Sequence, residues 1–408
     1  MKDNLFLISV VLILLVGCDR SDIHSTPTKV VNNNGQLEPM FRMECINDKR
    51  TRNRVPMFKY GSTLILRTHN FNDGTHCFAG VSLDEKKVEW YLPNLHPDQC
   101  WMDEGYVYDN YFVVMSQSEV LTNGETTLYC FDLDTQTVVW SKDSWQNPSM
   151  PRGVVGHNDY CYHYEVQQEC MRLIKTYVPT GESTILYENT TDTVLPNGRP
   201  TLTSVDGTLY LTFCMWDLEK DDNGQESTML LNVYDITNNK LTYQNYLPAA
   251  ERVGAFVSEP KSDVIYINQG RTLYCFNFVK GEFVWSNSNF DYELTYDVIL
   301  LDNGDILRPA QGEMSYVSGT TGKIMWESRY DPNHDFIPMW TEVHGHYAYH
   351  HMSVYHNEVR DLNRNGELVA VLRYEKAQLE ASIPAFMDDD GFIIVSKKEI
   401  LKYPYVND

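Results

Sequence analysis

The chain has 408 residues, with 33 basic against 56 acidic side chains and a net charge of −23. A surface this acidic repels phosphate backbones, which argues against nucleic acid as a partner, and it disfavours adhesion to anionic lipid. On size alone the length suits one large domain or two ordinary ones.

The N-terminus reads as a separate module. Lys2 supplies a short positive start, and Leu5–Gly17 is thirteen residues without a charge, too short to span a bilayer comfortably. The stretch ends in Leu15-Val16-Gly17-Cys18, which resembles the lipobox of bacterial lipoproteins. That resemblance implies a signal peptide at 1–17, cleavage before Cys18 and lipidation of the Cys18 thiol. Acyl chains would then hold the chain on a membrane, at the cell envelope, facing the periplasm or the cell surface. Residues 18–39 are polar, with Pro27, Pro39 and an Asn32-Asn33-Asn34-Gly35 run, and read as a flexible tether.

Residues 40–408 hold no amphipathic helical period. Short apolar runs are cut by Asn123-Gly124, Asp206-Gly207, Asn303-Gly304 and Asn365-Gly366, dipeptides that join antiparallel strands. One sentence recurs in this all-β region. Leu128–Trp140 reads LYCFDLDTQTVVW and Leu273–Trp285 reads LYCFNFVKGEFVW, with looser copies at 80–90, 232–243 and 315–326. Each is a strand, a polar turn and a second strand. Cys130 to Trp140, Cys275 to Trp285, Tyr316 to Trp326, Val233 to Tyr243 and Gly80 to Trp90 are all ten residues apart. A fixed offset returning every ~40–55 residues signals a repeat, one supersecondary unit per copy.

Units close near Trp90, Trp140, Tyr187, Tyr243, Trp285, Trp326 and Val371. The third fits loosely, since Ile185 or Tyr187 suits its closing position, and the seventh has no aromatic closer. About three strand signals follow within 383–403, and Met40–Ile46 is a lone strand signal after the tether. A closed ring whose last unit borrows its outer strand from the N-terminus absorbs both and hides the sheet edges. The expectation is an eight-bladed β-propeller over 40–408, with seven blades as the alternative.

The repeat resembles that of the pyrroloquinoline-quinone-type (PQQ-like) propellers, in which a small residue, an Asp, a Gly and a Trp stand at positions one, three, seven and eleven. Here the small residue is Gly80, Cys130 or Cys275; the Asp is Asp132 or Asp235, replaced elsewhere by Asn277 and Ser318; the Gly is Gly281 or Gly322; and the Trp is Trp90, Trp140, Trp285 or Trp326. The resemblance implies that each Trp docks between blades on its small residue, and that the Asp caps the turn. The quinone-dependent dehydrogenases that share this repeat carry an adjacent Cys-Cys pair beside the cofactor. This chain has none, so no cofactor is expected. In anchor, length and repeat the chain is similar to the propeller lipoproteins of the outer-membrane β-barrel assembly machinery, which implies a scaffold.

Of nine cysteines, Cys18 is assigned to lipid. Cys130 and Cys275 fill one repeat slot in non-adjacent units, too far apart to bridge, and read as small core residues. Cys161 and Cys170 flank a turn at 165–168; a disulfide there depends on a register that sequence does not reveal.

Three segments invite chemistry. Thr341–Val359 holds five histidines, of which His344, His346 and His350 share strand parity. No carboxylate stands at a telling offset, so an aromatic strand face is favoured over a metal site. Asp361–Gly366 begins like a calcium loop but has Leu372 where the twelfth-position Glu belongs, and it falls at a hairpin turn. Asp217–Ser227 is an acidic insertion that reads as a hairpin loop. No Gly-x-Ser-x-Gly, His-Glu-x-x-His or phosphate-binding Gly loop occurs, so no catalytic set or metal site is assigned.

The turns that close each unit are short, whereas the links between units and the mid-unit loops are long. In a four-stranded blade those two classes open on one face, where recognition concentrates. The candidates there are Trp101, Trp145, Phe290, Tyr292, His334 and Trp340, amphipathic types enriched in binding hot spots. The expectation is a non-catalytic, lipid-anchored propeller that binds a protein partner or, alternatively, a glycan or small ligand. An enzyme with a funnel site ranks third.

Overall fold

A computed structural model describes residues 29–32, 41–44, 53–69, 76–93, 99–102, 105–118, 125–145, 153–167, 170–190, 194–217, 229–248, 255–257, 263–291, 298–301, 303–310, 313–329, 340–343, 346–352, 356–362, 368–375, 385–388, 391–395 and 399–404. Among them the regular structure is entirely β.

Two short strands come first, β1 (Lys29–Asn32) and β2 (Phe41–Glu44). The first sheet is β3 (Asn53–Tyr60), β4 (Thr63–His69), β5 (His76–Ser82) and β6 (Lys87–Pro93), hydrogen-bonded in that order. The second has a divided inner strand, β7 (Gln99–Met102) and β8 (Tyr106–Tyr108), both pairing β9 (Tyr111–Ser118), then β10 (Glu125–Asp132) and β11 (Thr137–Trp145). The third is β12 (Val155–His157), β13 (Tyr160–Gln167), β14 (Cys170–Tyr177) and β15 (Ser183–Asn189). The fourth is β16 (Val194–Val205), β17 (Thr208–Asp217), β18 (Met229–Asp235) and β19 (Lys240–Tyr246). The fifth is β20 (Ala255–Val257), β21 (Val264–Gln269), β22 (Thr272–Asn277) and β23 (Glu282–Asn287). The sixth is β24 (Ile299–Leu300), β25 (Ile306–Ala310), β26 (Glu313–Val317) and β27 (Ile324–Arg329). The seventh is β28 (Trp340–Val343), β29 (His346–Met352), β30 (His356–Leu362) and β31 (Leu368–Glu375), with β1 added outside β31. The last is β32 (Ala385–Asp388), β33 (Gly391–Val395) and β34 (Glu399–Pro404), with β2 paired antiparallel to β34.

The last sheet therefore combines the two ends of the chain. Phe41 stands opposite Lys402 and Glu44 opposite Glu399, within the lone strand signal noted at 40–46. Within the segment 18–39, Lys29–Asn32 forms a strand that pairs parallel with Ala370–Arg373; the rest of the segment lies outside the described residues. Val30-Val31 are β-branched, and the outer edge of β31 offers them free backbone groups.

The closing hairpins share one irregularity. Each of the seven sheets whose two outer strands are joined by a turn has a register shift one residue after repeat position one, as between Cys130 and Phe131 or Cys275 and Phe276. β34 and β2 are not joined by a turn, and their pairing runs without a shift. The bulge thus belongs to the hairpin. Its residue at repeat position seven is left-handed whether or not it is glycine: φ is 58° at Gln136 and 71° at Gly281, as in a type I turn followed by a bulge. The shift also settles the two loose units. Leu173 pairs with Tyr187, so Tyr187 rather than Ile185 closes the third. Asp361 pairs with Ala370, one residue before Val371, in the seventh.

The capping role holds in the hairpins. Asp132 Oδ1 accepts the N–H groups of Asp134 and Thr135, both at 2.9 Å. Asp235, Asn277 and Ser82 take the corresponding N–H of Asn238, Lys280 and Glu85 at 2.9, 2.9 and 3.0 Å. Burial pushes the Asp132 carboxyl up, but these N–H bonds and the Asn110 side chain outweigh it and hold it below the usual range.

Successive residues of a strand pack against different sheets. In β9, Phe112 and Val114 join Ile65 and Phe78 of the first sheet, while Val113 and Met115 join Val154 and Cys161 of the third. In β22, Tyr274 and Phe276 face the fourth sheet while Leu273 and Cys275 face the sixth. Strands β18 and β22, in the middle of their sheets, are buried on both sides and at every residue, so they do not alternate apolar with polar positions. Equivalent layers join the third sheet to the fourth and the last sheet to the first.

The repeat aromatics fasten these layers. The Trp140 indole N–H donates to Val178 O of the next sheet at 2.6 Å, and that of Trp285 to Gly319 O at 2.9 Å. Each ring also lies over the next hairpin's turn glycine. A Cβ on Gly181 would come within 2.9 Å of Trp140, and one on Gly322 within 2.5 Å of Trp285. Tyr243 takes the same place over Gly281. Within its own hairpin, Trp90 covers Gly80, and Trp326 stacks on Tyr316 with centroids 5.7 Å apart.

Candidate interaction face

The links between sheets and the mid-sheet loops meet at one end of each sheet, as strand order requires. In the second sheet that end is built up. Trp101 pairs with Gln117, Gln117 with Thr126 and Thr126 with Ser144, and Trp145 pairs with Glu125. Register therefore brings Trp101, on an inner strand, and Trp145, on the outer strand, to the same end of one sheet. β9 continues to Ser118 and β10 begins at Glu125. Trp340 opens β28, next to the link from the sixth sheet, and pairs with Tyr349. Tyr292 and His334 lie outside the described residues.

Phe290 is a correction. It stands in the link after β23, but it is only 3 % exposed, within the layer between the fifth and sixth sheets. Its ring lies 4.0 Å from the guanidinium carbon of Arg308, a cation–π contact. Arg308 is fully buried in β25; its Nε donates to Asn268 Oδ1 and its Nη2 to Gly270 O, both at 3.1 Å. A link crossing a blade junction must fill the gap beneath it, and Phe290 does so. Sequence reading missed Arg308, whose signal is one cation inside the strand Ile306–Ala310.

A second buried polar group went unread. His163 is 1 % exposed; its Nε2 lies 3.2 Å from Thr176 Oγ1, which lies 2.8 Å from Ser183 Oγ, which accepts Lys142 Nζ at 2.7 Å. The row leads from the interior of the third sheet to the outer strand of the second. Burial pulls the imidazole down to about 4, against a smaller upward pull from the Tyr164 carbonyl.

Among the described residues, Cys130, Cys161, Cys214 and Cys275 are buried thiols and Cys170 is half-buried. Cys161 pairs across its hairpin with Thr176 and Cys170 with Gln167, so register does not bring them together, and both are free. Burial pushes the Cys130, Cys214 and Cys275 thiols up to about 12. Such thiols are poor nucleophiles at neutral pH.

Among the described residues, no three His, Cys, Asp or Glu side chains gather as a metal site. His346 and His350 share β29, whereas His344 lies outside the described residues. Asp361 and Leu362 close β30 and Asp217 closes β17; the rest of the Asp361–Gly366 and Asp217–Ser227 segments lies outside the described residues.

This architecture is a β-propeller. No family model matches the chain, and no curated protein matches it. Solved structures do. BamB from Moraxella catarrhalis aligns with a TM-score of 0.55 at 12% identity, over 91% of this chain and 98% of that one. The Dos1 propeller aligns at 0.62 and 7% identity, over 92% and 96%. The C-terminal WD40 domain of Sif2 aligns at 0.61 and 11% identity, over 91% and 99%. At these identities the likeness concerns the fold.

Proposed function

We propose that the chain is a lipid-anchored, non-catalytic, eight-bladed β-propeller that serves as a protein-interaction scaffold at the cell envelope. The observation that carries this reading is the placement of Trp101 and Trp145 at one end of the second sheet, where links and loops converge. A rigid sheet end that carries aromatic residues suits docking of a folded partner. Eight sheets, the last completed by β2, support the blade count. The fold-level likeness to BamB and to the Sif2 WD40 domain is consistent with a scaffold, although a fold alone does not assign function. His163 and Thr176 and the thiols of Cys130, Cys161, Cys214 and Cys275 are buried inside the blades, which suits structural roles. The anchor rests on Cys18 and its lipobox.

Affinity purification of the full chain from detergent-solubilised membranes tests the scaffold. A stoichiometric protein partner supports it. A chain recovered alone that binds on a glycan array moves the ligand reading to first place.

A further inference from the structure

The outer edge of the seventh sheet differs from its counterparts. The other hairpins end on outer strands that each carry at least one charge, at Lys87, Lys142, Glu188, Lys240, Glu282 and Glu327. Such charges discourage further strand pairing. β31 carries charges as well, at Arg373 and Glu375, but they follow the uncharged Leu368-Val369-Ala370-Val371-Leu372, which holds three of the four residues paired with β1. It also lacks the aromatic closer, with Ala370 opposite Asp361. Among the described residues it is the outer strand of a joined hairpin to which another strand is added. Lys29 pairs with Ala370, Val30 with Val371, Val31 with Leu372 and Asn32 with Arg373, all parallel.

The occupant is weakly held by its own pairing. β1 has four residues, and parallel pairing is slightly less stable per residue than antiparallel. Its advantage is proximity. Only residues 33–40 separate it from β2, a reach of at most about 30 Å at ~3.5 Å per residue, which keeps its local concentration high.

We propose that the outer edge of the seventh sheet is a strand-docking site. The chain's own Lys29–Asn32 occupies it and yields it to an extended, β-branched segment of a partner protein in the same parallel register. Backbone hydrogen bonds along Ala370–Arg373 supply the affinity, and two consecutive β-branched residues define the fit. The proposal deepens the scaffold reading and rests on it only for the class of partner. Failure of the peptide test below leaves the membrane purification unaffected.

The probe is a fluorescent peptide of residues 26–35, titrated into the full chain. A Val30→Pro/Val31→Pro variant removes backbone donors from β1 and opens the edge. The variant should bind the peptide at least tenfold more tightly than the wild type. A peptide carrying the same two prolines should not bind. Amide exchange across Leu368–Glu375 should quicken in the variant and slow again with peptide, while the other sheets keep their protection. In a Val31→Cys/Leu372→Cys chain, cross-linking should abolish peptide binding and reduction should restore it. Equal affinity of wild type and variant overturns the proposal, as does exchange at Leu368–Glu375 that neither the prolines nor the peptide changes.

Discussion

The indole N–H of Trp140 donates to the carbonyl of Val178 across the junction between the second and third sheets, at 2.6 Å. The same ring covers Gly181, and Trp285 repeats the arrangement with Gly319 and Gly322. Trp140→Ala and Trp285→Ala each remove a wedge and a hydrogen bond, at an expected cost of about 3 kcal/mol. Trp140→Phe keeps most of the packing and should cost about 1 kcal/mol for the lost bond. Urea unfolding measures both. Values near zero for the alanine variants would mean that the junctions hold without these rings.

The hairpin turns give opposite results at equivalent positions. Gln136 is left-handed at φ 58° without being glycine. Gln136→Gly should relieve strain of about 1–2 kcal/mol and lose about half of that to chain entropy, a net gain of about 0.5–1 kcal/mol. Gly181 has φ 75°, and a Cβ there meets Trp140 at 2.9 Å. Gly181→Ala should therefore destabilise by about 2 kcal/mol. Denaturant midpoints of the two variants should move in opposite directions.

His163 makes stability depend on pH. Its folded pKa lies near 4 because it is buried, below the usual value of about 6.5. Between those values the unfolded chain binds a proton that the folded chain does not. Stability is therefore complete above about pH 6.5 and falls as pH drops toward 4, by at most about 1.4 kcal/mol per unit from this group. Asp132, held below its usual range, loses its contribution at still lower pH. His163→Gln should flatten the slope between pH 6.5 and 4 in a series of thermal melts, and leave the steeper fall below it.

The anchor has its own test. Cys18→Ser should abolish labelling by a fatty-acid analogue and release the chain from the membrane fraction. Undiminished labelling of that variant would place the lipid elsewhere or remove it from the account.

Much of the fold was legible because the closing hairpin is local. A turn, a capping Asp132 and a Trp140 ten residues after Cys130 lie within one short stretch. The borrowed strand at Phe41–Glu44 was legible by subtraction, since three strands at the C-terminus need a fourth. What sequence concealed depends on distant pairing. Lys29–Asn32 has no turn or period to announce its partner, and composition marks it as linker. Arg308 and His163 are polar residues whose partners, Asn268, Gly270 and Thr176, become neighbours only through strand register. Phe290 stands in a link, where exposure is the ordinary expectation, yet that link closes a blade junction. The aromatic residues of the candidate face were legible as types, and loop order placed them at one end of the sheets. Which of them share a sheet end in register was not legible, because relating Trp101 to Trp145 requires three strand pairings.

The most direct test of the scaffold is a quantitative co-purification from solubilised membranes, comparing wild type with a Trp101→Ala/Trp145→Ala variant and with Phe290→Ala. The expected result is one protein partner near equal stoichiometry with the wild type, lost at least tenfold in the double variant while its melting temperature holds. Phe290→Ala should keep the partner and lose about 3 kcal/mol of stability. A partner retained in full by the double variant, or no stoichiometric partner with the wild type, would contradict the account.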